Sequence, residues 1–567
     1  MKTLLKTFIL AFICFFQYSV KAQDLTLKTG SESLKRDKHA NMFGPYQFAS
    51  SSKGIYVYSA TPHVSGSNII YSDKITISHF DSEMNLKKES QLSLKYGKLK
   101  LQAIKIIELN GNQELISVIR DRKTETITLY HQEVNLADLT LGEPTEFFDY
   151  SYNDKAFLTF AHVQLQVSDN SNYFLVTANL PEKVDKSYTV FDSNFEKISE
   201  TSNNMLVQEE DLRTHKTFIT NSGSVVFLTL GVEYLLTKKG DETHFFQVKH
   251  HFVVHMEKGG SINYEELDEE TGQVGSFTMK ENKDGNFLFM GISGDYTQMS
   301  AEELTEKHIV NEQVLKAAKK QVSTFVLSKD NLSLLSEHTE SLPEGFVSKP
   351  MRTEKEKKEE AKLENTKKVH YQDYLQLDAY SSSANESFVF LGQRFVMFND
   401  YSNMSGTDWE FHMNSENMIA CNIDQDGNIN WTVGIPRCQR VLDKNEQLPF
   451  DRDILDYYYI FNDLGEATGS IINATQTGGL QIFYNDNPEN SKLLENDGTN
   501  QWSNTDELKG ITRVNITDDG SLEKDFFAIP EKANYLLGIN FNKNIEDNAM
   551  LIFLLEKKKY QIGLLSF

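Results

Sequence analysis

Eight times along this chain a short polar turn gives way to a burst of apolar and aromatic residues, most clearly at Lys283-Asp284-Gly285-Asn286-Phe287-Leu288-Phe289-Met290. The bursts follow turns at Gly54, Gly111, Asn172, Gly223, Gly285, Asn385, Gly478 and Asp547. Runs such as Val225 to Leu230 and Phe388 to Gly392 scarcely alternate, which is what a strand covered on both faces requires. A supersecondary unit that returns many times in one chain buries its apolar face against its own neighbours. The recurrence therefore fixes architecture, and it leaves chemistry open.

Between the bursts sits a second hairpin, in which an alternating strand, a polar turn and another alternating strand follow one another. Its turns fall near Asp81 to Asn85, Val134 to Asn135, Asp192 to Asn194, Gly259 to Gly260, Lys329 to Asn331, Asp426 to Asn428 and Asp518 to Gly520, seven in all. Asn, Asp and Gly dominate because primed two-residue turns need positive φ. Two hairpins per unit make four strands, the composition of a propeller blade. Eight first hairpins against seven second ones leave the last unit short, and the chain ends on a plausible third strand, Lys559 to Phe567. The missing outer strand is expected from the mature N-terminus, where Leu25-Thr26-Leu27 alternates, so that no open edge remains. The reading is an all-β chain, a β-propeller of eight four-stranded blades whose closing blade is shared by N- and C-terminal strands. Seven blades is the alternative, because the seventh unit is irregular from Tyr457 to Asn500, and a two-domain β arrangement is a third option on length.

Two insertions interrupt the pattern. Ser300 and Glu303 have capping-box spacing, and Leu304, Val310, Val314 and Ala318 keep near-helical spacing, which predicts a helical insertion over 300–320. The second spans 351–370, where Arg352 to Lys368 holds only Ala361 and Leu363 as apolar residues among alternating Lys and Glu. Such a segment cannot pack into a core and reads as a solvated helix, a tether or a docking arm.

At the N-terminus, Lys2 and Lys6 precede an apolar stretch from Phe8 to Phe16, and Val20 and Ala22 supply small residues before Gln23. This pattern predicts a signal peptide over 1–22, cleaved between Ala22 and Gln23, with 23–567 as a single propeller domain. Its apolar run is too short to cross a bilayer, and Ile13 before Cys14 does not suit lipoprotein processing. Cleavage removes Lys2, Lys6 and Lys21 and no acid, taking the formal charge from −24 to about −27. An exported protein, periplasmic or extracellular, follows from this reading, with no integral membrane segment after cleavage. So acidic a surface repels phosphate backbones, which argues against nucleic acid as a partner.

With Cys14 gone, Cys421 and Cys438 are the remaining thiols, and an oxidising compartment allows a disulfide between them. It would close a loop of about 17 residues, worth on the order of 3 kcal/mol. A hairpin turning at Asp426 and Gly427 sets Cys421 opposite Thr432 instead, so the sulfurs meet only if the chain doubles back near Pro436.

No cofactor, metal or catalytic residue is assigned from sequence. His244, His250, His251 and His255 are the densest set of ligand-type side chains, but Phe245, Phe246, Val248 and Phe252 to Val254 favour a strand. On a strand His251 and His255 share a face about 13 Å apart at roughly 3.3 Å per residue, so outward-facing histidines are expected there. Asp424, Asp426 and Asn428 mimic the opening of a calcium loop, but Gly427 falls at the fourth position and Ile435 at the twelfth, where an EF-hand needs Gly at the sixth and Glu at the twelfth. The acidic run Glu265 to Glu270 reads as a solvated loop. No nucleophile elbow, Walker loop, dinucleotide fingerprint or H-E-x-x-H helix is present.

The segment Ile423-Asp424-Gln425-Asp426-Gly427-Asn428-Ile429-Asn430-Trp431 resembles the repeat of exported bacterial β-propellers, in which an aromatic follows a D-x-D-G-N turn. The resemblance covers one unit well and the others in outline, and it implies fold without activity. Quinone-dependent eight-bladed dehydrogenases carry a Trp-docking motif in nearly every blade, whereas this chain has only Trp409, Trp431 and Trp502, and WD40 and kelch signatures are absent. Two functions fit such a ring. One is a non-catalytic propeller that binds a protein or glycan partner through one face; the other is a propeller hydrolase or lyase acting on extracytoplasmic polymers. An enzyme needs converging acids or histidines at a channel mouth, and a binding module an apolar or aromatic patch.

Overall fold

A computed structural model of the chain describes residues 26–566 except 30–33, 36–45, 52–53, 60–62, 66–67, 71–72, 122, 125, 152–162, 181–184, 203–211, 237–243, 268–274, 294–320, 344–368, 383–386, 401–409, 438, 444–469, 476–478, 488–501, 504–509, 529–535, 547–548 and 557–558. Among the described residues strands pair into eight sheets of at least four strands, one for each repeat of the sequence and antiparallel but for one short pair. Blade 1 is Tyr46–Ser51, Gly54–Ser59, Lys74–Phe80 and Leu86–Ser93, in spatial order. Blades 2 to 7 open on Gln102–Leu109, Val163–Val167, Leu212–Ile219, Gly275–Glu281, Val369–Ser382 and Ile471–Ala474. Blade 8 holds Leu536–Glu546, Ala549–Glu556 and Lys559–Ser566, and Thr26–Thr29 completes it by pairing with the last of these, Leu27 opposite Leu565. The strand deficit counted in the sequence is filled as expected, and the ring closes without an open edge.

First strands of consecutive blades touch one another, for example in blades 2 and 3, 3 and 4, and 8 and 1, and so form the inner wall of the ring. The apolar core lies between blades. Phe287 and Phe289 point back to Val226, Leu228 and Val253 of blade 4, while Leu288, Met290 and Ile292 of the same strand point forward to Phe388, Phe390 and Ile419 of blade 6. Alternate residues thus enter different seams, and both sets are apolar. This is the physical reason for unbroken apolar runs: burying each such side chain contributes about 1.5–3 kcal/mol, and both faces of the strand are used.

Turn chemistry departs from the primed form at most positions. Asp424 accepts backbone N–H bonds from Asp426 (2.9 Å) and Asn428 (2.8 Å) on one carboxylate oxygen, and Gly427 alone adopts positive φ, 89°. Asp81, Asp192 and Asn282 cap their turns in the same way, with Met84, Phe195 and Gly285 at the left-handed position. These are three-residue loops, a type I turn followed by one left-handed residue, closed by an Asp or Asn side chain. Only one positive φ is then needed, which Met84 and Phe195 supply without glycine. The two-residue primed turn does occur at Asn110 and Gly111, with φ of 48° and 80°. Val134 and Asn135, expected in a turn, end the strand Thr126–Asn135 instead, and the loop begins after them.

Among the described residues there is no helix. The expected helical insertion over 300–320 lies outside them, as do 351–368 of the charged insertion. The last two residues of that insertion, Val369 and His370, already belong to a strand and face Asp400 and Asn399. The signal segment 1–22 and the cleavage pair Ala22 and Gln23 also lie outside the described residues.

Candidate functional site

The ring has two unlike faces. One gathers the turns within hairpins, and these tie blade to blade. Asn110 donates its backbone N–H to Ser171 (3.2 Å), Asn170 to the side chain of Asn221 (2.8 Å), and Asn221 in turn to Glu281 (2.5 Å). Lys280 of blade 5 reaches Asp169 of blade 3 at 2.9 and 2.8 Å, skipping blade 4 and spanning the inner rim. Burial raises the Glu281 carboxyl above its ordinary range, with the Asn221 N–H pulling the other way. Polar groups on this rim are largely spent on one another.

The opposite face carries the connections between hairpins and between blades, and here blade 6 departs from its neighbours. Val369–Ser382, Ser387–Asp400 and Glu410–Ile423 are each 14 residues long, against 7 for each of the first three strands of blade 5. The surplus, about 23 Å at 3.3 Å per residue, extends away from the Ser382–Ser387 pair that ends the ladder of the first two strands. Blade 4 does likewise, more modestly, with Val225–Leu236 and His244–Met256. The outer edge of the tall sheet is built from two pieces, Ile429–Ile435 below and Gln439–Asp443 above, and Trp502–Ser503 pairs parallel to the upper piece.

Arg437 sits at the joint between those pieces, with none of its surface exposed. Its Nη1 donates to Gln393 Oε1 (2.9 Å) and Ser470 Oγ (2.7 Å), and its backbone N–H to Asn417 Oδ1 (3.2 Å). Gln393 borders a register shift between the second and third strands of the blade, and Asn417 falls in the same irregularity. A break in the ladder leaves backbone and side-chain polar groups to be satisfied, and the arginine supplies donors there. The cluster runs on into blade 7. Gln439 donates to the Asn485 carbonyl (2.5 Å), Tyr484 to the Pro436 carbonyl (3.4 Å), and Thr512 to buried Asp486 (2.7 Å), which Lys524 approaches at 3.5 Å. Burial, with the Asp486 charge adding to it, holds the Tyr484 hydroxyl far above its ordinary pKa. The chain has placed a charged, fully desolvated junction under the base of its tallest sheet.

The residues singled out from sequence are dispersed. Among the four histidines, His255 turns inward, contrary to the outward orientation expected: it is 5% exposed, its ring lies edge-on 4.8 Å from Phe287, and neither nitrogen has a hydrogen-bond partner. The strand is covered on both faces, so alternation selects between two seams and not between core and water. Burial lowers its pKa below the usual 6.5. Among the described residues no three His, Cys, Asp or Glu side chains gather in a way that could hold a metal. Asp424 and Asn428 are occupied in their turn. Trp431 donates to the Asp518 carbonyl (2.9 Å), binding blade 6 to the turn of blade 7.

Cys421 is a free, buried thiol opposite Thr432, as hairpin register requires, and burial pushes its pKa up to about 12. Cys438 lies outside the described residues. The Arg437 junction is not legible in the sequence, because its members come from segments 393, 417, 437, 470 and 485; the one local signal is an arginine directly after Pro436.

No protein-family model and no curated protein matches the chain. Among solved structures it is similar to an oligogalacturonate lyase in complex with manganese (8% identity, TM-score 0.30, covering 84% of this chain and 98% of that one). It is also similar to the β-propeller domain of the Trilobed protease from Pyrococcus furiosus (8% identity, TM-score 0.27, 71% and 100% covered). An endo-arabinase from Bacteroides thetaiotaomicron matches at 9% identity and a TM-score of 0.23, over 55% of this chain and 98% of that one. The blade count and the ring closure rest on the strand pairing of the chain itself. No helix of the described residues is long and apolar enough to cross a membrane.

Proposed function

We propose that the protein is exported and acts without catalysis, binding a protein or glycan partner through the face that carries the tall sheet of blade 6. The observation that supports this reading is the Arg437 junction. A fully buried arginine is costly to desolvate, and the hydrogen bonds that Arg437 donates to Gln393, Asn417 and Ser470 fix the base of a sheet that the ring itself does not need. A rigid base under an extended sheet holds the elements at its rim in place for docking, as scaffolds hold binding loops. The other face offers turns already bonded to each other.

Position-specific photo-crosslinking tests the reading. A photoreactive residue at Asn399, in the tall sheet, should yield adducts with a surface protein or glycan of the producing cell, and one at Asp284, in a turn of the opposite face, should not. Adducts from Asp284 alone would place the docking face wrongly. Turnover of extracytoplasmic polysaccharides or peptides by the purified mature protein would replace the binding reading with that of a hydrolase or lyase.

A further inference from the structure

The inner wall of the ring carries a second feature, independent of which face docks a partner. In blade 2 the first strand pairs Ala103 with Ser117 and Lys105 with Ile116, so Ile104 is an extra residue on the inner side. In blade 4 Thr214 pairs with Thr229 and Lys216 with Leu228, which makes His215 the extra residue. Such bulges re-aim the side chain that follows them. No such bulge interrupts the first-strand pairing of blades 1, 3, 5, 6 and 7, and in both bulged blades the next residue is lysine.

The two lysines share a level. Counting pairs from the one that closes the turn, Leu109–Asn112 in blade 2 and Thr220–Ser224 in blade 4, each lysine occupies the fifth. The fifth pair of blade 6, counted from Ser382–Ser387, holds Asp378. Lys216 and Asp378 interact electrostatically although blade 5 stands between them, which fits side chains that meet across the channel. Burial brings the Lys216 ammonium down to about 8, with Asp378 opposing that shift.

Among the described residues Lys105 has no such counter-charge. Its side chain is exposed in the middle of the innermost strand, where the channel is the open side. Crowding by protein still lowers its proton affinity, and no neighbouring charge contributes to the shift. No described residue forms an ion pair or hydrogen bond with it. An exposed ammonium on the channel wall that no described residue pairs with presents its donors to an anion that enters. The bridge between Asp169 and Lys280 spans the rim near the turns and narrows the approach from that side.

We propose that Lys105 is the cation of an anion-binding subsite within the central channel, which takes the carboxylate or phosphate group of a small ligand. The test is thermal melting and isothermal titration of the mature protein with inorganic phosphate, with glucuronate, and with glucose as the uncharged control. Phosphate or glucuronate should raise the melting temperature of the native protein, glucose should not, and Lys105→Met should weaken the anion affinity at least tenfold. Which anion binds tighter separates a phosphate-bearing from a carboxylate-bearing ligand. Lys105→Met should itself melt no lower than the native protein, since the ammonium is exposed and makes no ion pair with a described residue while the substitution keeps the stem. In the native protein, carbon-13 methylated Lys105 should titrate at higher pH once the anion is bound, a readout that does not depend on the variant folding. An unchanged anion response in Lys105→Met, no response to either anion, or a Lys105 titration indifferent to them would overturn the proposal.

Discussion

The seam between blades 4 and 5 and the seam between blades 6 and 7 occupy equivalent places in the ring and are filled by opposite chemistry. The first is packed by Phe277, Phe287, Phe289 and Phe325: Phe325 meets Phe277 edge-to-face at 5.1 Å and stacks on Phe289 at 4.8 Å, and Phe287 meets His255, its one buried titratable intruder among the described residues, edge-to-face at 4.8 Å. The second keeps an apolar middle in Leu391, Ile482 and Val514 but ends, toward the long-loop face, in Arg437, Gln439, Asn485, Asp486 and Thr512. Apolar filling is enough to hold one blade on the next. A buried polar end is therefore an addition, and it coincides with the tall sheet. Stability is carried by the seams in general, and geometry at one face by this junction in particular.

The comparison breaks first if the apolar seam does not dominate stability. Phe289→Ala should cost about 3–5 kcal/mol, read as a lowered denaturation midpoint, because the ring is fully buried and the site is closed on both sides. Arg437→Met should cost less, on the order of 3 kcal/mol, since it keeps the volume and leaves polar partners unsatisfied. Gly520→Ala comes next. At φ of 82° a Cβ there would stand 2.8 Å from the Trp431 ring, which should cost about 2 kcal/mol by differential scanning calorimetry, more than Gly111→Ala, where nothing lies within 4 Å.

The smallest effect is a pH dependence in the apolar seam. His255 is held neutral by burial, so its folded pKa lies below the unfolded value near 6.5. The unfolded chain then binds the extra proton, and the stability contributed is complete above about pH 6.5 and declines as pH falls toward the folded pKa. His255→Phe should flatten the fall in melting temperature between pH 7 and 5; an unchanged slope would show that His255 is not the group responsible.

Much of the ring was legible because its determinants are local. Turns and two-sided apolar strands leave their mark within a dozen residues, and the count of eight against seven hairpins was enough to place Thr26–Thr29 beside Lys559–Ser566. What escaped depends on residues far apart in sequence. His255 looks outward on any rule that equates alternation with solvent, and only the neighbouring blade with its Phe287 makes both faces interior. The turns were recognised, but their mechanism, an Asp or Asn side chain capping a three-residue loop, shows only when Asp424 is seen to hold both Asp426 and Asn428. Arg437 donates to residues of three distant segments, Gln393, Asn417 and Ser470, and the bulges that place Lys105 and Lys216 are a matter of register that composition does not record.

Hydrogen–deuterium exchange on Arg437→Met tests most directly the claim that the polar junction anchors the tall sheet. Amides of residues 410–415 and 439–443 should exchange at least tenfold faster than in the native protein, while Phe287–Ser293 and Gln321–Leu327 of the apolar seam keep their protection. Uniform acceleration across the ring, or no change in the tall sheet, would contradict it.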